Sequence, residues 1–346
     1  MRAMKPTPYN QAIANRHRLI DVLPLAMPLV VHLDSTNACN FRCTFCPQSL
    51  PDRPYHVGNP VAMKFTLYEK IVDELCNWGK LNVLRFGMFG EPFMNPQFPD
   101  MLQLALERNA AGRLVIFTNG TLFDETKAER LCSLAANTDT IIYVRFSIVS
   151  VLPDKHRRLS GSNVDIDRIR DNVARLKSLR DQSDVDNLGL CAKMIDSKSD
   201  ENEIFLERYR DLVDDLELDA PGNWTGIVET DFIANIYDGP VEKRTFPYRK
   251  ACSFPFYYLG IHSDGAITAC TDDWCRCTVI GNVRTQTLPE IWNGDPLQKL
   301  RLLHLDGNRN KIDICRNCGQ IDKNPESDDI DSLTADDWLS LTEKKP

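Results

Sequence analysis

The stretch "LDSTNACNFRCTFCPQS" (residues 33–49) places Cys39, Cys43 and Cys46 in a Cys-x3-Cys-x2-Cys spacing with no fourth thiol beside them. A closed metal site normally takes four ligands, so the spacing leaves one coordination position open. The stretch directly follows the apolar run "PLVVHL" (28–33), which reads as a buried strand. What comes after it repeats the pattern. "TLYEKIVDELCNWGK" (66–80) puts Leu67, Ile71, Leu75 and Trp78 on one helical face, with a Thr66–Glu69 capping box and Gly79 as C-cap. Strand runs then alternate with helical ones: "LNVLRFGM", "DMLQLALERNAAG", "RLVIFTNG", "ETKAERLCSLAANT", "TIIYVRFSIV", "DIDRIRDNVARLKSLRD", "LGLCAKMI" and "NEIFLERYRDLVDDLEL" (202–218). "GIVETDFI" (226–233) supplies the sixth strand. Regular βα alternation makes a parallel sheet covered by helices. Six units are too few to close an eight-unit barrel, so the fold expected is α/β, a partial (βα)6 barrel. Its chemistry belongs in the loops after the strands, where the three cysteines lie.

The remaining composition bounds the class. The chain has 346 residues, 42% hydrophobic and 26% charged, which suits a globular enzyme. A net charge of −8 argues against a nucleic-acid binder, which needs a basic face. "KHRR" (155–158) reads as a solvated loop. "VLPLAMPLVVHL" (22–33) is broken by Pro24 and Pro28, too short for a membrane span and without a cleavage site. A cytoplasmic protein with reduced thiols is expected, so the twelve cysteines point to metal binding, not disulfides.

From about residue 245 the pattern changes. "FPYRKACSFPFYYLGIHSDGAITACTDDWCRC" (246–277) reads as a hairpin turned at Asp264–Gly265. "TLPEIWNGDPLQKLRLLHL" (287–305) reads as one amphipathic helix and "DICRNCGQ" (313–320) as a knuckle. The organisation expected is an N-terminal extension (1–28), a barrel (29–240), a cysteine-rich module (245–320) and a peripheral acidic tail (321–346) with one short helix.

Thiolates select zinc, copper(I) or iron–sulfur clusters. Zinc stays open for the first three cysteines on this reading, although the spacing does not suit a zinc knuckle pair. "CNFRCTFCP" resembles the cluster motif of radical S-adenosylmethionine (SAM) enzymes. The resemblance implies a [4Fe–4S] cluster on Cys39, Cys43 and Cys46, its fourth iron chelated by SAM, with Phe45 near the adenine. "FGMFGEP" (86–92) resembles the family's glycine-rich stretch, where Gly90 exposes backbone and Glu91 meets the SAM ammonium group; Phe89 stands where many relatives have glycine. By the same resemblance Asn119 of "FTNGT", Ser147 of "RFSIV" and Met194 are cofactor-binding candidates, the competing reading for each being turn chemistry or barrel packing. Cys76, Cys132 and Cys191 read as small hydrophobes.

The later cysteines Cys252, Cys270, Cys315 and Cys318, with "HSDGAITAC", "GNV…LPEIWNG" and "CRNCG", resemble a twitch or SPASM-type auxiliary-cluster module. Their spacing is similar to that of the aminocyclitol (2-deoxy-scyllo-inosamine) dehydrogenase group. The resemblance implies a second, fully ligated [4Fe–4S] cluster; structural zinc is the alternative. It further implies a radical SAM oxidoreductase of the alcohol dehydrogenase type, fed by an electron donor such as flavodoxin or ferredoxin. Through a 5′-deoxyadenosyl radical such an enzyme oxidises a secondary alcohol of a sugar, aminocyclitol or related polar small molecule to a ketone, the auxiliary cluster accepting the second electron. The setting implied is carbohydrate or aminoglycoside biosynthesis, with neither nucleic acid nor membrane as partner. Cys275 and Cys277 are left as hydrogen-donor candidates for a redox-neutral epimerase, as part of another cluster, or as packed thiols. A SPASM-type peptide-modifying enzyme is the third reading.

Overall fold

The computed structural model describes residues 17–50, 61–220, 236 and 249–343. Within these, one nine-stranded sheet runs in the order β6-β5-β4-β3-β2-β1-β7-β8-β9. The first six strands, β1 (Val30–Leu33), β2 (Leu81–Phe86), β3 (Ala111–Thr118), β4 (Ile141–Ile148), β5 (Leu188–Ile195) and β6 (Asp215–Asp219), are parallel. Their crossovers carry α1 (Phe65–Trp78), α2 (Phe98–Glu107), α3 (Glu125–Ala136), α4 (Pro153–Ser160), α5 (Ile166–Gln182) and α6 (Glu201–Tyr209). This is the partial barrel expected.

Strand alternation sorts the sheet into two chemistries. Val31, Leu33, Leu84, Phe86, Leu114, Ile116, Val144, Phe146, Leu190 and Ala192 join the helices in one large apolar core. The opposite face packs Val115, Tyr143 and Cys191 with Val83 and Phe117, and also carries the polar side chains of His32, Arg145 and Glu217. His32 packs tilted against Phe117 at 5.3 Å, the Arg145 guanidinium lies over Phe117 at 5.5 Å, and Arg145 pairs with Glu217.

The sixth strand departs from expectation. Helix α6 ends at Tyr209, and "DLELD" (215–219) forms β6 instead of continuing it. The alternation Asp215, Glu217, Asp219 against Leu216, Leu218 is a strand pattern whose charged half answers the polar interior: Tyr143 donates to Asp215, Arg145 pairs with Glu217, and Lys193 pairs with Asp219 at 3.1 Å. The "GIVETDFI" run lies outside the described residues.

Other corrections are local. Helix α1 starts at Phe65, with Lys64 at the N-cap, so Thr66 sits inside the first turn and no capping box forms. The Gly79 amide does close that helix on the Leu75 carbonyl at 2.9 Å. "KHRR" belongs to helix α4, where Lys155 pairs with buried Glu201 and His156 packs edge-on against Phe41.

The C-terminal module extends the same sheet. After the short helix α7 (Phe254–Tyr257), β7 (Tyr258–Ile261) runs parallel to β1, pairing Val30 with Tyr258 and Leu33 with Ile261. It turns at Gly265 (φ +91°) into antiparallel β8 (Ala266–Thr268), and β9 (Val279–Asn282) follows. The region read as one long helix is two, α8 (Leu288–Asn293) and α9 (Asp295–Leu305), broken at extended Gly294; the Thr287–Glu290 capping box starts the first. Helix α10 (Asp313–Arg316) makes the knuckle. The acidic tail is not peripheral: helix α11 (Ala335–Glu343) buries Trp338 edge-on against Phe256 at 5.1 Å, and Ile330 and Leu333 are buried with it. Among the described residues no helix is long and apolar enough to cross a membrane.

Candidate active site

The three-cysteine loop leaves β1 and is fastened to α4. The Arg42 and Thr44 amides donate to the Ser160 and Leu159 carbonyls, each at 2.8 Å, and Arg42 Nη1 returns to the Cys39 and Phe41 carbonyls. Cys46 N closes on Cys43 O at 2.9 Å, and the Phe41 amide donates to Cys39 Sγ at 3.4 Å. Burial, then the neighbouring Cys46 and Cys39, pushes the Cys43 thiol well up. The three thiols are therefore close neighbours, half-buried, with an amide already directed at one sulfur. Such a donor set fits a thiolate-ligated cluster, whose metal charge restores the anionic form. Phe45 is half-buried on the same loop.

The glycine-rich loop after β2 interlocks with this one. Asp34 Oδ1, at the end of β1, accepts the Met88 and Phe89 amides at 2.8 and 2.9 Å, and burial pushes its carboxyl up to about 7. Glu91 N donates to Ala38 O at 2.8 Å. The Glu91 carboxylate is buried and accepts from Asn119 N (2.7 Å), Thr118 Oγ1 (2.8 Å) and Phe93 N (3.3 Å). With its amide on the Ala38 carbonyl, Glu91 thus ties three loops together, and burial pushes its carboxyl up to about 7. Asn119 Nδ2 donates to Asn40 Oδ1 at 2.8 Å and approaches Cys39 Sγ at 4.0 Å, while its Oδ1 accepts from Thr121. Cys39, Gly90, Glu91 and Asn119 are in this way drawn into one site.

Ser147 lies on the polar interior face by alternation with Tyr143 and Arg145. Met194 does not: it is 1% exposed in the helix-covered core, and strand alternation turns Lys193 to the interior in its place. Phe89 stacks flat on His262 at 5.8 Å, joining this loop to the end of β7.

The second thiol set surrounds one cavity. Cys252, Cys270, Cys315 and Cys318 line it with Phe254, Leu300, His304, Arg309 and Ile314. Amides point at the sulfurs: Asp272 N to Cys270 at 3.3 Å and Gln320 N to Cys318 at 3.4 Å. Arg309 clasps the knuckle through the Cys315 carbonyl at 2.8 Å, and His304 Nδ1 accepts the Cys252 amide at 3.3 Å. Burial pushes Cys252 up to about 12 and Cys318 up to about 11. Four thiols with N–H···S donors in an apolar pocket fit a fully ligated iron–sulfur cluster. Cys275 and Cys277 are not part of this lining.

Sequence reading missed Asp34, Arg145, Glu217, His304 and Arg309. Asp34 carries a signal, a carboxylate at the end of an apolar strand run; His304, in the apolar "LRLLHL", carries none. Cys76 and Cys132 sit on α1 and α3, and Cys191 is buried beside Tyr143, as packed thiols do.

This pairing of an open three-thiol site with a closed four-thiol one defines a class. Residues 33–185 match the radical SAM superfamily and residues 252–319 match the SPASM iron–sulfur cluster-binding domain, so the chain carries a radical SAM domain and a C-terminal SPASM-type module. Its cofactors follow from the two domains: SAM with a [4Fe–4S] cluster in the first, an auxiliary [4Fe–4S] cluster in the second. Among relatives, it is 20% identical to the S-adenosyl-L-methionine-dependent 2-deoxy-scyllo-inosamine dehydrogenase of Niallia circulans over 84% of this chain and 93% of that one. A tungsten-containing aldehyde ferredoxin oxidoreductase cofactor-modifying protein of Pyrococcus furiosus is 31% identical over 31% of this chain and 28% of that protein. The fold matches the crystal structure of BtrN in complex with AdoMet and 2-DOIA, with a TM-score of 0.55 and 19% identity over 87% of this chain and 98% of that one. It also matches native anSMEcpe with bound AdoMet and Cp18Cys peptide, with a TM-score of 0.56 and 15% identity over 91% and 95%.

Proposed function

We propose that this protein is a radical SAM dehydrogenase that oxidises a secondary alcohol of a sugar, aminocyclitol or related polar small molecule to a ketone. The observation that carries the reading is the ring of four thiols, Cys252, Cys270, Cys315 and Cys318, on one cavity. Four cysteines saturate a four-iron cluster and leave it no position for substrate, so electron acceptance is the role that fits. When bound, SAM and the first cluster supply a hydrogen-abstracting 5′-deoxyadenosyl radical, and the auxiliary cluster supplies a one-electron acceptor.

The chain's own residues do the holding and shielding. Cys39, Cys43 and Cys46 hold the first cluster; Phe45, the Gly90 backbone, Asn119 and Ser147 are the proposed SAM contacts. Glu91 acts mainly by fixing the Asn119 loop, with its remaining lone pairs available to an ammonium group. Met194 is left out because it faces the helices. The polar interior, with the Arg145–Glu217 and Lys193–Asp219 pairs, suits a substrate rich in hydroxyl or amino groups. The Niallia circulans relative, named for dehydrogenation of an aminocyclitol, supports the same substrate class. An external donor such as flavodoxin or ferredoxin is proposed to supply the electron.

The test is an anaerobic screen of sugars and aminocyclitols for SAM-dependent 5′-deoxyadenosine, followed by mass spectrometry of the product. Dehydrogenation removes two hydrogens, and Cys315→Ala should stop this while 5′-deoxyadenosine still forms. A product of unchanged mass in ordinary water that gains one deuterium when the reaction is run in heavy water would establish the epimerase instead.

A further inference from the structure

The segment between β8 and β9 holds a thiol pair that neither cluster site uses. One carboxylate oxygen of Asp273 and the sulfurs of Cys275 and Cys277 all lie within 4.8 Å of one another. Cys275 Sγ stands 2.6 Å from Cys277 Sγ and 3.4 Å from Asp273 Oδ1. Side chains two residues apart on an extended strand stand roughly 6–7 Å apart, so this chain is folded to bring them together. Arg276 between them has φ +55°, left-handed for a residue that bears a Cβ, and its guanidinium is tied to Asp264 of the hairpin turn at 2.5 Å. Asp273 is fully buried and oriented by three donors, Cys277 N (2.8 Å), Thr278 N (2.7 Å) and Thr278 Oγ1 (2.6 Å). Outer hydrogen bonds of this kind aim a metal-ligating carboxylate.

We propose that Asp273, Cys275 and Cys277 form a third metal site, separate from both clusters, for one thiophilic divalent cation of the zinc class. Two thiolates and a carboxylate carry three negative charges, which a divalent cation reduces to one, and two sulfur donors select zinc over magnesium or calcium. Three protein ligands leave a fourth position for water. Zinc–sulfur bonds of about 2.3 Å place tetrahedral sulfurs roughly 3.7 Å apart, so binding asks Cys277 to move outward by about 1 Å. Cys277 is the exposed member of the pair and Cys275 the buried one, so that movement is toward solvent. The bound ion would pin residues 271–277, the segment between Cys270 and Thr278, both of which line the four-thiol cavity. A metal-held thiolate carries no S–H hydrogen, so an occupied site also removes Cys275 and Cys277 as hydrogen donors.

The experiment uses the full chain, anaerobically reconstituted to constant iron content, as wild type, Cys277→Ser and Cys275→Ser/Cys277→Ser. Zinc is titrated against a chromophoric chelator and its environment read by zinc-edge X-ray absorption. The expected result is one zinc per chain beyond the iron, with two sulfurs at about 2.3 Å and lighter atoms completing the shell. Affinity should drop about 100-fold or more in both variants, with iron unchanged, beyond what outer-shell changes alone cost. Wild type that holds no zinc against the chelator overturns the proposal, as does zinc retained undiminished by the variants. A loss of iron from Cys277→Ser, a change at an exposed position, would assign the pair to a cluster and equally overturn it.

Discussion

Gly90→Ala tests whether the glycine-rich loop sets the position of the three-cysteine loop. A Cβ built on Gly90 would lie 2.0 Å from the Thr36 carbonyl oxygen and 2.8 Å from that of Ala38, where ordinary contact begins at 3.4 Å. Both neighbours are backbone atoms, so neither can swing aside as a side chain would. The two segments are also joined by the Glu91 N to Ala38 O bond at 2.8 Å, and retreat would stretch it. Relief of the overlap asks for a backbone shift of about 1 Å. Overpacking on that scale costs about 1–3 kcal/mol, and a weakened hydrogen bond adds about 1 kcal/mol. Ala38 immediately precedes Cys39, so the shift passes to the first cluster ligand. A misplacement of about 1 Å in reacting groups costs on the order of 100-fold in rate. The assay is reductive 5′-deoxyadenosine formation together with iron and sulfide content. Gly112→Ala on β3 is the control, because the nearest atom to its Cβ is 3.4 Å away. If Gly90→Ala cleaves SAM at the wild-type rate with full iron content, the proposed coupling between the two loops is refuted.

Three further outcomes are expected. Arg145→Met should cost about 3–5 kcal/mol in denaturant unfolding because it strands Glu217, 7% exposed, without its partner, and adding Glu217→Gln should restore most of the loss. Trp338→Ala should cost about 3–5 kcal/mol, since it removes the ring packed on Phe256 and the indole N–H bond to Gln298. Glu91 carries a pH signature: burial raises its carboxyl from the ordinary 4.5 to about 7, so the folded chain binds this proton more tightly than the unfolded one. Its contribution is present at low pH and is lost as pH rises from about 4.5 to 7, by roughly 3 kcal/mol in all. The stability of wild type relative to Glu91→Gln, followed by denaturant midpoints from pH 5 to 8, should therefore fall up to about pH 7 and then level off.

The barrel strands were legible because their helix-facing residues make near-continuous Val, Ile and Leu runs; β5 occupies the very residues of "LGLCAKMI". The sixth strand was not, because its interior positions are acidic and a charged alternation next to a helix reads as more helix. Only the partners across the sheet, Tyr143, Arg145 and Lys193, give those acids a reason to point inward. The break at Gly294 was overridden for the same kind of reason: the apolar periodicity of "LPEIW" and "LQKLRLL" continues across it. The three cysteines marked the first site by local spacing, and the resemblance of "CNFRCTFCP" to a known cluster motif gave it an identity. His304 and Arg309 stayed hidden because their roles depend on the fold bringing Cys252 and the knuckle to one cavity.

The pairing of β7 with β1 is the feature with the largest functional consequence, and it joins segments more than two hundred residues apart. Because the two strands are parallel, the loop that carries Cys39 leaves at the end where Leu33 pairs with Ile261. Cys252 lies before β7, and antiparallel β8 delivers Cys270 back toward β7's start, since Gly260 pairs with Thr268. The two thiol sets therefore lie toward opposite ends of one strand pair, separated along it by at least the roughly 10 Å that three residue steps span. The interior face between them carries His32, whose Nδ1 meets the Thr271 hydroxyl at 3.3 Å, and Tyr258, whose hydroxyl reaches Met88. A small substrate seated on that face lies between the two sites instead of beside one of them. A structural zinc site would need no such placement; the electron acceptor proposed for the four-thiol cavity does, so the strand pairing and the four cysteines support the proposed oxidation together.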